Sequence, residues 1–167
     1  MSQSNETSTV YYLQMLDPGQ LSPKPAPPEL EITMVPEPDF KLNRDFYTTV
    51  GARWEWTERL VWNDQQWSDY VDRPQLQTWV ARVGGESIGY FELRYEEPGD
   101  VEIIYFGLLD QHTGRGYGGP MLSEAVRRAW AFGDVRRVWL HTCTKDHPAA
   151  LDNYRSRGFE IYDTKAE

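Results

Sequence analysis

Hydrophobic and polar positions along this chain follow two periods, and together they place eleven elements. Residues 8–16 (STVYYLQML) and 29–35 (ELEITMV) have the β-branched and aromatic content and the partial alternation of strands. Between them, 17–28 (DPGQLSPKPAPP) carries five prolines and is expected to be a loop. Phe40, Leu42, Phe46, Tyr47 and Val50 recur at helical spacing, which predicts a helix from about Pro38 to Val50, opened by Pro38 or Asp39 and ended by Gly51. A second helix is predicted over 56–72, with Thr57 as its N-cap and Pro74 beyond its end. Strands 77–83 and 87–95 flank Gly84-Gly85 and predict a hairpin. After Pro98-Gly99-Asp100 comes strand 101–109. Helix 117–132 shows Met121, Leu122, Ala125, Val126 and Ala129 on one face, and Gly133 stops it. Strand 136–143, helix 147–157 ending at Gly158, and strand 159–163 complete the chain. A single mixed α/β domain over 1–167 is expected, with 1–7 and 164–167 flexible.

The most informative stretch is VEIIYFGLLDQHTGRGYGGPML (101–122). A strand runs into Gly114, Gly116, Gly118 and Gly119, and a helix follows. Glycines let the backbone come close to a ligand and turn without steric cost. A helix N-terminus presents free N–H groups at the positive end of its dipole, so the arrangement suits phosphate or pyrophosphate. GRGYGG has the G-x-G-x-x-G spacing of a dinucleotide site, but that fold needs an acid about 20 residues on and further βαβ units. The next strand, VWLHT (138–142), ends without an acid, and only 25 residues remain after it. A P-loop requires Lys and then Ser or Thr after the last glycine, where Pro120 and Met121 stand.

The remaining match, R-G-x-G at 115–118, resembles the pyrophosphate-binding motif of the GNAT superfamily of acetyl-CoA-dependent N-acetyltransferases. A second segment, DHPAALDNYRSRGF (146–159), resembles the superfamily signature of asparagine-proline, alanine, tyrosine and glycine-phenylalanine. Pro148, Ala150, Tyr154, Gly158 and Phe159 match it, and His147 stands where asparagine is common. The resemblance implies a mixed, mostly antiparallel sheet flanked by helices, with a splay between two central parallel strands, 101–109 and 136–143, that receives acetyl-CoA. It implies cofactor contacts at Leu108, Leu109, Gly114, Arg115, Gly116, Tyr117, Gly118, Gly119 and His147, with a backbone N–H near Leu108 polarising the thioester carbonyl. Tyr154 would protonate the departing thiolate. Glu102 sits where similar histone acetyltransferases carry their general base, with Glu92 as an alternative. A carboxylate inside an apolar strand is costly to bury unless paired or hydrated, so a cleft-facing position is expected.

Charge refines this picture. The chain carries −9 overall, which argues against nucleic acid as partner. Residues 111–140 are a basic island of net +3, which leaves −12 for the rest. The island suits an anionic cofactor, and the acidic remainder suits a cationic acceptor, a small molecule or a peptide. Trp54, Trp56, Trp62 and Trp67, near Glu55, Glu58, Asp64 and Asp69, offer either core packing, with Trp62 against Leu60 and Val61, or an aromatic wall for an amine; Trp54 and Trp56 are the substrate candidates. Cys143 is the lone cysteine, excludes an internal disulfide, and reads as a small core thiol. His112 and His141 are not at metal-ligand spacing, so no metal is expected. The N-terminus lacks a basic start and a long apolar core, and no apolar run reaches the roughly 20 residues of a membrane span. A cytoplasmic monomer or homodimer, transferring acetyl from acetyl-CoA to an amine, is the expectation. The alternative is an acyl-CoA-binding sensor on the same fold.

Overall fold

In the computed structural model, residues 8–52, 54 and 56–167 are described. The expected flexibility of 1–7 and the contribution of Glu55 lie outside the described residues. The strands are β1 (Thr9–Met15), β2 (Leu30–Met34), β3 (Leu76–Val83), β4 (Glu86–Glu96), β5 (Asp100–Leu108), β6 (Arg137–Cys143) and β7 (Glu160–Ala166), and the helices are α1 (Phe40–Gly51), α2 (Asp64–Val71), α3 (Gly118–Trp130) and α4 (Ala150–Ser156). One sheet holds all these strands in the order β2-β3-β4-β5-β6-β1-β7. Every neighbouring pair is antiparallel except β5 and β6, which run parallel.

Alternation along the strands separates two cores. Phe91, Leu93, Val101 and Ile103 face α3, whose Met121, Leu122, Ala125, Val126 and Ala129 are all shut off from solvent. This is the predicted stripe. The opposite face, with Thr78, Tyr90 and Glu92, meets α1 through Asn43 and Phe46. Beneath α1 and α2, Tyr47, Trp67, Tyr70, Val71 and Leu76 form the second core. Gly84 and Gly85 both have positive φ, 59° and 82°, as a two-residue hairpin turn of the right twist requires.

Two boundaries differ most from expectation. The second helix begins at Asp64 rather than near residue 56, and its cap is Asn63, whose side chain accepts from the Gln66 N–H while Gln66 reciprocates. Residues 57–62 are folded into turns, closed by Leu60 N–H to Thr57 O and Trp62 N–H to Arg59 O. This turn drives Arg59 inward, and it leaves Leu60 and Val61 exposed instead of packed against Trp62. The last strand runs through Ala166, taking in residues 164–166 that were expected to be flexible, because β1 pairs with it as far as Thr9↔Ala166. The proline-rich stretch is a loop with one 3-10 turn at Pro18–Gln20, capped by Asp17. It docks onto α3 and α4 through Lys24 N–H to Ser123 Oγ (2.9 Å) and Ser22 N–H to Arg157 O (2.8 Å).

Candidate active site

Two irregularities open the centre of the sheet. Parallel pairing between β5 and β6 lasts only from Asp100↔Arg137 to Glu102↔Trp139, although both strands continue, so they splay apart beyond Glu102. On the other edge of β5, pairing with β4 jumps from Glu92↔Ile104 to Tyr90↔Gly107. The extra residue, Tyr105, sits at φ 52° and marks a β-bulge on the edge of β5 away from β6. The splay follows from the family resemblance; the bulge has no local sequence signal.

A cleft of about 1020 Å³ runs through this gap, from the glycine turn to the segment before α2. Leu108, Gly114, Gly118, Gly119 and His147 line it; Leu109, Arg115, Gly116 and Tyr117 do not. Leu109 donates its N–H to Ile88 O at 2.7 Å. By the alternation of an antiparallel pair, the Leu108 N–H then points the other way, into the splay. Gly114 and Gly116 have φ of 75° and 85°, values that favour glycine. Tyr117 is the N-cap of α3 but supplies no side-chain cap, and its hydroxyl donates instead to Glu29 Oε1 at 3.3 Å. Pro120 in the first turn has no N–H to give. Sequence reasoning missed three groups around this helix start. Asn153 Nδ2 donates to Gly118 O at 3.1 Å and ties α4 to the turn. Lys24 and Arg157 flank Gly119, where an added Cβ would lie 2.7 Å from Lys24 Cδ and 2.6 Å from Arg157 Nη1. Arg157 is buried, and its Nε has no hydrogen-bond partner among the described residues. The helix start thus has two cations beside it, which reinforces the positive pole of α3.

The two predicted catalytic residues reach the cleft from opposite faces of the sheet. Tyr154 belongs to the α3-side core, packing its ring edge-on against Phe106 (6.2 Å) and Phe159 (6.3 Å). Its hydroxyl makes no hydrogen bond to a described residue, while the side chain lines the cleft. Burial and the nearby Asp146 charge raise its pKa, so the phenol holds its proton. Glu102 is on the α1 side, 4% exposed. Arg94 Nη2 donates to its Oε1 at 2.9 Å, and His141 Nδ1 lies 3.3 Å from Oε2. Burial of this strand carboxylate is therefore compensated by pairing. Glu92 has a different setting: it is fully buried, accepts from Asn43 Nδ2 (2.9 Å), and pairs with Arg59 Nη1 at 3.3 Å, away from the cleft lining.

Trp54 and Trp56 both line the cleft. Trp54 packs at a tilt against His147 with ring centres 5.2 Å apart, and His147 Nδ1 accepts from the Ala149 N–H at 3.0 Å, capping the turn before α4. Trp56 packs against Tyr47 and Tyr105. Trp62 and Trp67 surround the guanidinium of Arg59 at 4.8 and 5.4 Å, with Tyr70 at 3.9 Å and Tyr105 at 4.4 Å. The aromatic cluster is thus largely packing around a cation of the protein itself. Glu58, on the exposed rim, accepts from the Tyr105 hydroxyl at 3.0 Å. Cys143 is not a core thiol: it is half-buried and lines the cleft. Burial, followed by the Asp146 charge, pushes its pKa up and keeps it a poor nucleophile. Among the described residues no cluster of three His, Cys, Asp or Glu side chains could hold a metal ion, and no helix is long and apolar enough to cross a membrane.

The sequence profile of the Acetyltransferase (GNAT) family matches residues 40–159, and the chain belongs to this family of acyl-transferring enzymes, which generally use acetyl-CoA. No curated protein matches the sequence. Among solved structures, a GCN5-related N-acetyltransferase from Kribbella flavida superposes with TM-score 0.68 and 19% identity over 96% of this chain. The chain spans 58% of that protein's length. An IAA acetyltransferase from Bacillus cereus ATCC 14579 gives TM-score 0.60 and 22% identity over 80% of this chain and 79% of its own. An aminoglycoside acetyltransferase from an uncultured soil metagenomic sample gives 0.63 and 16% over 77% and 87%. At these identities the likeness is one of fold: a mixed, mostly antiparallel sheet flanked by helices, with parallel β5 and β6.

Proposed function

We propose that this chain transfers the acetyl group of acetyl-CoA directly to an amine. The observation that carries the reading is the single cleft that joins the uncapped start of α3, the splay of β5 from β6, and two proton-handling groups on opposite sides of that splay. The amides of the 114–119 turn and the start of α3 would hold the pyrophosphate, with Arg115, Arg157 and Lys24 adding charge. His147 and the backbone of Leu108 would border the remainder of the cosubstrate. The Leu108 N–H would stabilise the oxyanion as the amine adds to the thioester carbon. The amine proton leaves toward the Glu102 side. The C–S bond then breaks, and Tyr154 gives its proton to the sulfur. No protein nucleophile is needed, in keeping with a Cys143 thiol that stays protonated.

Trp54, Trp56 and Glu58 would border the acceptor. The carboxylate on this rim and the acidic remainder of the chain favour a cationic amine, met in the cytoplasm by a monomer or homodimer. One observation favours the sensor alternative: Glu102 is already ion-paired to Arg94, so its carboxylate is engaged by the protein itself. The test is release of free CoA thiol, with mass spectrometry of the product, across polyamines, aminoglycosides, arylamines and peptides. Acetyl-CoA binding without turnover of any amine would leave the sensor reading in place.

A further inference from the structure

Two cleft-lining side chains without a role in the transfer described above, Arg94 and His141, meet Glu102 at one place. Glu102 is the last residue of β5 in register with β6, and His141 lies two positions beyond its partner Trp139, on the same face. There the Arg94 guanidinium, the Glu102 carboxylate and the His141 imidazole form a chain, at 2.9 Å and then 3.3 Å, and all three line the cleft. Arg94 and His141 occupy different oxygens of Glu102, so the carboxylate is engaged on both sides and shielded at 4% exposure. His141 is half-exposed. Its Nδ1 is turned to the carboxylate, which leaves Nε2 to the open cleft.

We propose that His141 is the catalytic base of the acetyl transfer, with Glu102 and Arg94 as positioning residues behind it. The inference rests on the acetyl-transfer reading and names the group that takes the proton. Nδ1–H donates to Glu102 Oε2, which fixes the tautomer and ring orientation; Nε2 carries the free lone pair. Neutral His141 accepts a proton from the amine nitrogen at Nε2 as that nitrogen bonds to the thioester carbon. The C–S electron pair goes to sulfur, which receives the Tyr154 proton, and both proton carriers re-equilibrate with water. A carboxylate lowers the energy of the imidazolium so formed, the role of an acid behind a catalytic histidine in general.

The surroundings of His141 agree. Its pKa is raised above 6.5, first by the hydrogen bond to Glu102 and then by the charges of Glu102, Glu58 and Asp146, with burial opposing. From β1, Tyr12 stacks on the ring at 5.8 Å, and Lys165 Nζ of β7 lies 5.1 Å from the centre of the Tyr12 ring; from β6 itself, Trp139 lies 6.2 Å away. Activity that requires neutral His141 must therefore rise with pH through a value above 6.5.

The experiment is the pH dependence of kcat/KM for wild type, His141→Gln and Glu102→Gln, with acetyl-CoA affinity measured on each to certify the fold. Wild type is expected to show a rising limb above pH 6.5. His141→Gln should lower kcat by about 10²–10⁴ and abolish the limb, and imidazole added to His141→Ala should restore part of the rate. Glu102→Gln should keep the limb but move it to lower pH. An active His141→Gln enzyme that retains the limb would overturn the role while leaving acetyl transfer intact. NMR titration of His141, which needs no turnover, should show Nδ1 protonated and a downward pKa shift in Glu102→Gln; an unshifted His141 also overturns it. A wild type that acetylates no amine sinks the reaction and this role together.

Discussion

Arg59 Nη1 lies 3.3 Å from Glu92 Oε1, and both side chains are almost completely withdrawn from water, at 5% and 0% exposure. The rings of Tyr47, Trp62, Trp67, Tyr70 and Tyr105 surround the guanidinium, and the backbone N–H of Arg59 donates to the Tyr47 hydroxyl at 3.0 Å. One side chain therefore fixes the segment before α2, the second core and the bulged end of β5 relative to one another. It also occupies the aromatic cage that could otherwise have read a cationic substrate.

Breaking this pair should unfold the wall of the cleft. Arg59→Met leaves Glu92 buried with only Asn43 as partner and should cost about 3–5 kcal/mol. Pairing it with Glu92→Leu should recover much of that loss, because the uncompensated charge is then gone. Urea unfolding of the two single variants and the double variant measures both. A loss under about 1 kcal/mol for Arg59→Met would mean that the pair is solvated in solution.

The elements with strong local patterns were legible in the sequence. The stripe Met121–Ala129, the Gly84-Gly85 hairpin and the succession of elements along the chain follow from periods and turn chemistry, while the mixed sheet follows from the family resemblance. What escaped was set by distant partners. Residues 57–62 have helical spacing, yet Arg59 gains more by turning into the aromatic cage than by continuing a helix. Tyr105 adopts φ 52° inside an apolar run, where nothing local asks for it. The junction of Glu102 with His141 needs the register of two strands far apart in sequence. Lys24 reaches Gly119 because the proline-rich loop docks on α3, and Arg157 reaches it from the end of α4. The family motifs pointed to Glu102, Tyr154 and the glycine turn as candidates, whereas nothing in them pointed to the side chains that these residues touch.

The glycine turn yields a prediction about the cosubstrate. Gly116 has open space around an added Cβ but a φ of 85° that a branched side chain resists, so Gly116→Val should reshape the loop without disturbing the core. At Gly118, a Cβ would make an ordinary contact of 3.5 Å with Asn153 Nδ2, on the wall of the cleft. Each valine variant should weaken acetyl-CoA binding at least tenfold, about 1.4 kcal/mol. Calorimetry on variants with wild-type melting temperatures decides; unchanged affinity would remove the turn from the binding site.

Glu58 should steer a charged acceptor rather than hold it. It is exposed at the rim and fixed by the Tyr105 hydroxyl. Glu58→Gln should raise KM for a cationic amine by roughly threefold to tenfold at low salt, with kcat nearly unchanged, and the difference should shrink as ionic strength shortens the Debye length. A KM ratio independent of salt would argue against an electrostatic role.

Tyr154 separates chemistry from packing most cleanly. Its ring is held by Phe106 and Phe159, so Tyr154→Phe keeps the apolar contacts. Its hydroxyl has no hydrogen bond to a described residue, so removing it leaves no buried partner unsatisfied, and the melting temperature should hardly move. Its raised pKa keeps the proton in place at neutral pH, which is the state a general acid requires. CoA thiolate is already a fair leaving group, so the loss in kcat should be moderate, on the order of 10–10³. The sharper sign is the acid donor's own signature: a group with so high a pKa sets no limb near neutrality, so Tyr154→Phe should depress the rate evenly across pH 6–8 (about two units around neutrality) and leave the rising limb of wild type where it was. Normal turnover per folded molecule in Tyr154→Phe, or a large drop in stability with it, would assign the hydroxyl a structural role and leave water to protonate the sulfur.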